Sequence, residues 1–295
     1  MAADEEVVLA IDIGGTKVAA GLVDSAGRLL ERTQAPTAAA TDSEALFELA
    51  RTLAADAGAM AHHPPVACGA GCGGPSRESN TIVSPLNIAV WRDFPLRDRL
   101  AEALGLATFV DNDAKALALG EGWVGAAKGV SDYIAMVVST GVGGGIVLEG
   151  RLLEGADGNA GHIGHVVVDP GGHPDATGAR GGLEGAASGS AIAAITGAPP
   201  DQADEATRRR VGALVGQAIA SVANLLDLRL AVVSGSVALG FGSPFFAEAQ
   251  RVVDDQCRLL HSRGTRVVPG ALGDSGPLIG TGAVAFRGLG RLAIG

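Results

Sequence analysis

The chain has 295 residues, 47% hydrophobic and 18% charged, with a formal net charge of −10, a balance that disfavours nucleic acid or an anionic membrane as the main partner and is too apolar for disorder. Glycine makes up 45 residues, roughly twice the ordinary ~7% share, without the three-residue period of collagen. No apolar stretch reaches the roughly 18–20 residues of a membrane span, the acidic start lacks the basic region of a secretory signal, and three cysteines form no closed disulfide set, so a cytoplasmic protein with reduced thiols is expected.

The first apolar run, residues 7–13, reads as a buried strand ending in Gly14-Gly15-Thr16-Lys17. Strands over 18–23 and 29–35 continue it as a meander. Ser43 is a candidate cap for a helix with Leu46, Leu49, Leu53 and Ala54 on one face. A strand over 66–70, a Gly/Pro-rich loop over 71–75, a second loop over 85–91, a helix over 96–104 and a strand over 107–110 follow. Asp111-Asn112-Asp113 then opens a helix towards Trp123. The pattern restarts with a strand over 132–138, a Gly-rich turn over 139–145 and a hairpin over 146–153 around Gly150. Ser188 starts a short helix, 205–226 is a long amphipathic one, and 230–234 is a strand ending in Gly235. A helix over 245–260, a strand over 265–268 and a Gly/Ala-rich helix over 276–289 complete the chain. Strands alternating with helices predict an α/β fold in two halves with a cleft between them.

Three strand ends carry glycine turns: Asp12-Ile13-Gly14-Gly15-Thr16-Lys17, Ser139-Thr140-Gly141-Val142-Gly143-Gly144-Gly145 and Ser234-Gly235-Ser236. Turns of this kind aim backbone N–H groups at one anion, and their glycines let the backbone come close to phosphate. One such turn is common; three suit a nucleotide triphosphate. None has the P-loop pattern, and no dinucleotide fingerprint follows the first strand. Asp12 beside a phosphate site makes sense with a cation such as Mg²⁺ between them. One residue of the Asp111-Asn112-Asp113 trio is expected to cap the helix. An aspartate there, its ionised form favoured by the helix dipole, can take a proton from an attacking hydroxyl. Gly158-Asn159-Ala160-Gly161-His162-Ile163-Gly164-His165 pairs two imidazoles among glycines. They suit sugar hydroxyls, since each ring offers a donor and an acceptor; a metal reading lacks a convincing third ligand, His173 and Asp175 being weak candidates. Glu184 can accept from two adjacent hydroxyls.

Taken in order, the motifs at Asp12–Lys17, Val110–Ala114, Ser139–Gly145, Gly161–His165 and Leu183–Gly189 resemble those of the ROK family of bacterial sugar kinases (repressor, open reading frame, kinase), within the actin/hexokinase superfamily. The resemblance runs from about residue 7 to about residue 289. It implies two actin-like, ribonuclease H-like lobes, each a mixed sheet flanked by helices: residues 1–115 with 276–295, and residues 116–275. It implies ATP with Mg²⁺ on Asp12, Gly14, Gly15, Thr16, Lys17, Thr140, Gly141 and Gly235. It makes Asp113 the catalytic base towards a sugar 6-hydroxyl and Asn112, His165 and Glu184 holders of sugar hydroxyls. His162 stands where most of the family has Glu, a substitution shared with some N-acetylmannosamine kinases. Family members usually bind structural zinc through three cysteines and a histidine. A gapless alignment from His165 to Glu184 puts Asp175, Thr177 and Gly182 at the cysteine positions, so no structural zinc is expected. The expected activity is phosphorylation of glucose by a homodimer, with N-acetylmannosamine as second choice and a non-catalytic sugar-sensing protein as third. The repressors of the family carry an N-terminal helix-turn-helix module, which is not expected here, where the first strand is read from Val7.

Overall fold

The computed structural model describes residues 6–175 and 177–294; most of the acidic start, residues 1–5, lies outside them. The chain opens with β1 (Val7–Ile13), β2 (Lys17–Asp24) and β3 (Leu29–Pro36), then α1 (Ser43–Ala59) and β4 (Cys68–Cys72). A short ribbon of β5 (Ser76–Arg77) and β6 (Ile82–Val83) precedes α2 (Leu96–Leu104), β7 (Thr108–Asn112) and α3 (Asp113–Trp123). The second half is β8 (Tyr133–Val138), β9 (Val142–Leu148), β10 (Arg151–Leu152), α4 (Glu184–Ala187), α5 (Gly189–Thr196), α6 (Glu205–Leu226), β11 (Leu230–Ser234), α7 (Ser236–Phe241), α8 (Ser243–Gln256), β12 (Arg266–Pro269) and α9 (Gly276–Gly288).

The two large sheets have one topology. Strand order is β3-β2-β1-β4-β7 in the first and β10-β9-β8-β11-β12 in the second. In each, the leading strand pairs antiparallel with the next strand and parallel with a later one, β1 with β2 and β4, β8 with β9 and β11. The period of two along a strand sends successive side chains to opposite faces. Leu9, Ile11 and Ile13 pack with Leu46, Phe47 and Leu100 of α1 and α2, while Val8 and Ala10 pack with Leu278 and Phe286 of α9. In the second sheet Ile134, Met136 and Val138 face α6 and α8, and Tyr133 and Ala135 face α3 and α9. Helices α3 and α9 therefore serve the inner faces of both sheets.

Several boundaries differ from the sequence reading. Asp42, not Ser43, caps α1, its carboxylate accepting from the Ala45 N–H at 2.9 Å. The expected helix over 245–260 runs Ser243–Gln256 and is preceded by α7, which the sequence did not reveal. The Gly-rich turn is only residues 139–141, because Gly143, Gly144 and Gly145 lie inside β9. A Cβ on Gly143 would stand 2.9 Å from the Ala114 Cβ, and one on Gly145 2.8 Å from the Lys115 Cα. These glycines let α3 lie against the sheet rather than bend the chain. All three cysteines are buried and unpaired; burial pushes the Cys68 thiol up to about 12. Among the described residues no helix is long and apolar enough to cross a membrane.

Candidate active site in the interlobe cleft

A cleft of about 630 Å³ opens at the C-terminal ends of the central strands, where open α/β sheets characteristically take ligands. Every residue singled out from the sequence as a site residue lines it. Strand register explains part of this. Asp12 is paired across β4 with Gly71, and Gly71 with Asp111, so Asn112 and Asp113 emerge one step beyond, beside the end of β1. Gly71 is the gap between the carboxylates: a Cβ there would lie 3.5 Å from the Asp113 Cα and 3.7 Å from Asp12 Oδ1.

The trio at the head of α3 divides its work. Asn112 is the cap, its Oδ1 accepting from the Ala114 N–H at 3.0 Å. Its Nδ2 is left towards Gly74, where a Cβ would meet it at 3.3 Å and His162 Nε2 at 3.0 Å. Asp111 turns away into the protein and meets Lys115 Nζ at 3.1 Å. Asp113 lines the cleft and accepts from the Ala114 N–H at 2.8 Å. Burial pushes its carboxyl above the usual range, and the Ala114 N–H at the helix N-terminus and His162 partly oppose this. Asp12 is pushed up to about 7 by burial and by the charge of Asp113, against the pull of Lys17 and Arg32. The adjoining Cys72 thiol is also raised, by burial and by the two carboxylates, and stays neutral.

The two turns meet across the cleft. The Gly14 N–H donates to the Lys17 carbonyl at 3.0 Å, closing the first, and the Thr16 and Thr140 hydroxyls stand 3.4 Å apart. Gly15 is needed for space, since a Cβ would come within 2.9 Å of the Asn87 carbonyl. Gly235 adopts φ +97, open to glycine, because a side chain there would strike the Val138 carbonyl. Ser236 then reaches Ser139, hydroxyl to hydroxyl, at 3.0 Å.

A set of acceptors lines the same cleft. Glu184 Oε2 takes the Val142 N–H at 2.8 Å, anchoring that carboxylate beside Gly141. His162 Nδ1 is 2.8 Å from the Asn159 carbonyl, and His165 Nδ1 is 3.0 Å from Asp175 Oδ2. A carbonyl and a carboxylate accept only, so each Nδ1 carries a proton, and whenever a ring is neutral its Nε2 is an acceptor. The imidazoles stack, 6.2 Å between centroids. Asn87, which the sequence reading passed over, enters from the 85–91 loop with Nδ2 near Gly141. A polar residue within Pro85-Leu86-Asn87-Ile88 was its one signal.

The residues around His165 do not fit a zinc ion. Its Nδ1 is engaged by Asp175, and Asp175 Oδ1 accepts from the Thr177 N–H at 2.8 Å, the Thr177 hydroxyl at 2.6 Å and the Ala179 N–H at 3.1 Å. Burial raises the Asp175 carboxyl, but bonds from Thr177 and His165 outweigh it and leave it below the usual range. No group of three or more His, Cys, Asp or Glu among the described residues is placed to hold a metal. Magnesium brought by a nucleotide is different: the Asp12 carboxyl, on the cleft wall beside Asp113, is a hard oxygen donor of the kind that fits such a cation.

Two lobes of one topology closing on a carboxylate-bearing, glycine-lined cleft define an actin-like kinase fold. The chain belongs to the ROK family, whose profile matches residues 8–287. It is similar to the glucokinase of Halalkalibacterium halodurans, 40% identical over 191 residues, a match spanning 63% of this chain and only 57% of that protein. It is 37% identical over 250 residues to the N-acetylmannosamine kinase of Citrobacter koseri, covering 79% of this chain and 84% of that one. In three dimensions it is similar to a ROK family glucokinase from Streptomyces griseus in complex with glucose and AMPPNP, with a TM-score of 0.83, 28% identity, and coverage of 95% of this chain and 99% of that one. The fold is that of the family's sugar kinases, and these relatives support an ATP-dependent sugar kinase.

Proposed function

We propose that the protein transfers the γ-phosphoryl group of ATP to the 6-hydroxyl of glucose. The observation that carries the reading is the polarity of the cleft wall. Asp113, Glu184, His162 Nε2 and His165 Nε2 offer acceptors, with Asn112 Nδ2 and Asn87 Nδ2 as donors beside them. A ligand that satisfies such a wall must bring several O–H donors, and a hexose does.

Asp113 is the base. Its raised pKa brings it nearer the operating pH, where a general base works best. It accepts the proton of the hydroxyl as that oxygen attacks phosphorus. Asn112, His162, His165 and Glu184 hold the remaining hydroxyls, and this fixed orientation supplies most of the rate. Gly14, Gly15, Thr16, Lys17, Thr140, Gly141 and Gly235 hold the nucleotide phosphates. Asp12 would hold the magnesium that accompanies ATP, which would supply neutralisation of phosphate charge. The lobes divide as residues 1–115 with 276–295 against 116–275, and the working form is a cytoplasmic homodimer.

N-acetylmannosamine is the second reading. His162 favours it, as does the 37% identity to the Citrobacter koseri enzyme. A coupled ADP-release assay across a hexose panel decides. We expect kcat/KM for glucose to exceed that for N-acetylmannosamine. The reverse order would transfer the assignment, and no turnover with any hexose would refute the kinase reading.

A further inference from the structure

The His165 ring is held at Nδ1 by the Asp175 carboxylate, 3.0 Å away. We infer that Asp175 is a positioning residue for the sugar site, fixing the His165 imidazole in the Nδ1–H form so that Nε2 stands as an acceptor in the cleft. The inference rests on the kinase reading for its consequence, though not for its geometry.

Three observations support it. The Asp175 side chain is wholly buried, while His165 is 35% exposed at the cleft; a carboxylate is not buried without several donors to replace water. It has four, and they are divided. Oδ1 takes the Thr177 N–H, the Thr177 hydroxyl and the Ala179 N–H, all from its own loop, and Oδ2 takes the His165 Nδ1–H at 3.0 Å. The loop therefore sets the carboxylate, and the carboxylate sets the ring. The same loop is tied back next to the cleft, where Val167 pairs with Gly182 one residue before Leu183 and two before Glu184. A bond of this kind fixes tautomer and ring orientation together.

Asparagine cannot replace Asp175. One of its two terminal atoms is an NH₂ group, which must face either the three loop donors or the Nδ1–H. Asp175→Asn therefore frees the ring or forces the other tautomer, whereas a ligand-independent scaffold role would act on the loop as a whole and reach Glu184 as well.

The test uses the full chain. Two-bond ¹H–¹⁵N correlation of the unliganded wild-type protein reads the His165 tautomer directly, without any substrate. We expect Nδ1–H, and Nε2–H would overturn the inference whatever the enzyme phosphorylates. Steady-state kinetics then compare Asp175→Asn, His165→Ala and the double variant. We expect KM for the sugar to rise about tenfold in Asp175→Asn, the scale of one hydrogen bond, with kcat and KM for ATP within about threefold. The double variant should match His165→Ala, because Asp175 acts through that ring. A rise in the double variant equal to the product of the two single effects would show a scaffold role and overturn the inference. Should no hexose be turned over by the wild type, the kinase reading fails while the tautomer measurement still judges Asp175.

Discussion

Asp12 shows how a site residue is held at a cost to the fold. The residue is 8% exposed, and its carboxyl is pushed up to about 7 by burial and by Asp113. The sign of the linkage follows. The folded protein holds this proton more tightly than the unfolded chain, so stability falls as pH rises from about 4 to about 7 and the penalty is then complete. Asp12→Asn removes the charge and keeps the shape. We expect the variant to be more stable than the wild type at pH 8 by on the order of 2–4 kcal/mol, with the difference vanishing near pH 4 and ATP-dependent turnover lost. Thermal melts of both proteins across pH check this; a constant difference at all pH values would refute it. That Asp12, Asp113 and the histidine pair belong together on one cleft was legible in the sequence, because each sits in a short motif at a strand end or among glycines. Asn87 and Asp175 were not, because their roles arise from tertiary contacts with distant Gly141 and with His165. The burial that raises the Asp113 carboxyl was not legible for a related reason: a helix terminus can be seen in sequence, burial cannot.

At the scale of elements, glycine had two meanings that look alike in a sequence. Gly235 bends the chain. Gly143 and Gly145 of β9 admit α3, and Gly280 of α9 admits the backbone of α3, where a Cβ would stand 2.5 Å from the Ala116 carbonyl oxygen. The sequence reading gave the Gly143–Gly145 run to a phosphate turn for want of this distinction. It did locate the strands and long helices, whose periodicity survives burial, and it missed α7, six residues long directly behind Gly235. The packing role predicts that Gly280→Ala forces α3 and α9 apart and costs on the order of 1–3 kcal/mol by overpacking. Gly240→Ala in α7, where a Cβ meets nothing within 4 Å, is the control and should be neutral or slightly stabilising. Urea midpoints for the two variants should move in opposite directions or, for Gly240→Ala, not at all; equal losses would deny the close approach.

The whole molecule is two copies of one sheet topology joined by α3 and α9, and the joint contains a charge network that the sequence reading did not foresee. Lys115 of α3, fully buried, meets Asp111 of the first half at 3.1 Å and also pairs with Glu154 of the second. Its Nζ donates to the Gly158 carbonyl at 2.9 Å, at the base of the segment leading to His162. Arg287 of α9 bonds Glu154 at 2.6 Å and lies 3.6 Å from Asp111. Two cations thus balance two carboxylates where both halves and both shared helices converge. Burial nevertheless raises Asp111, with Lys115 pulling against it, while Glu154, less deeply set, is held low by Lys115 and Arg287 despite its own burial. Removing one partner of such a group leaves an uncompensated buried charge, which is far more damaging than removing the pair. Lys115→Met should therefore cost on the order of 3–5 kcal/mol and lower Tm by about 10 °C. Lys115→Met with Asp111→Asn should recover part of that loss, because the stranded carboxylate is gone. Calorimetry on the single and double variants separates the cases: a double variant no more stable than Lys115→Met alone would mean that Lys115 acts by packing, and that the halves are joined by shape and not by charge.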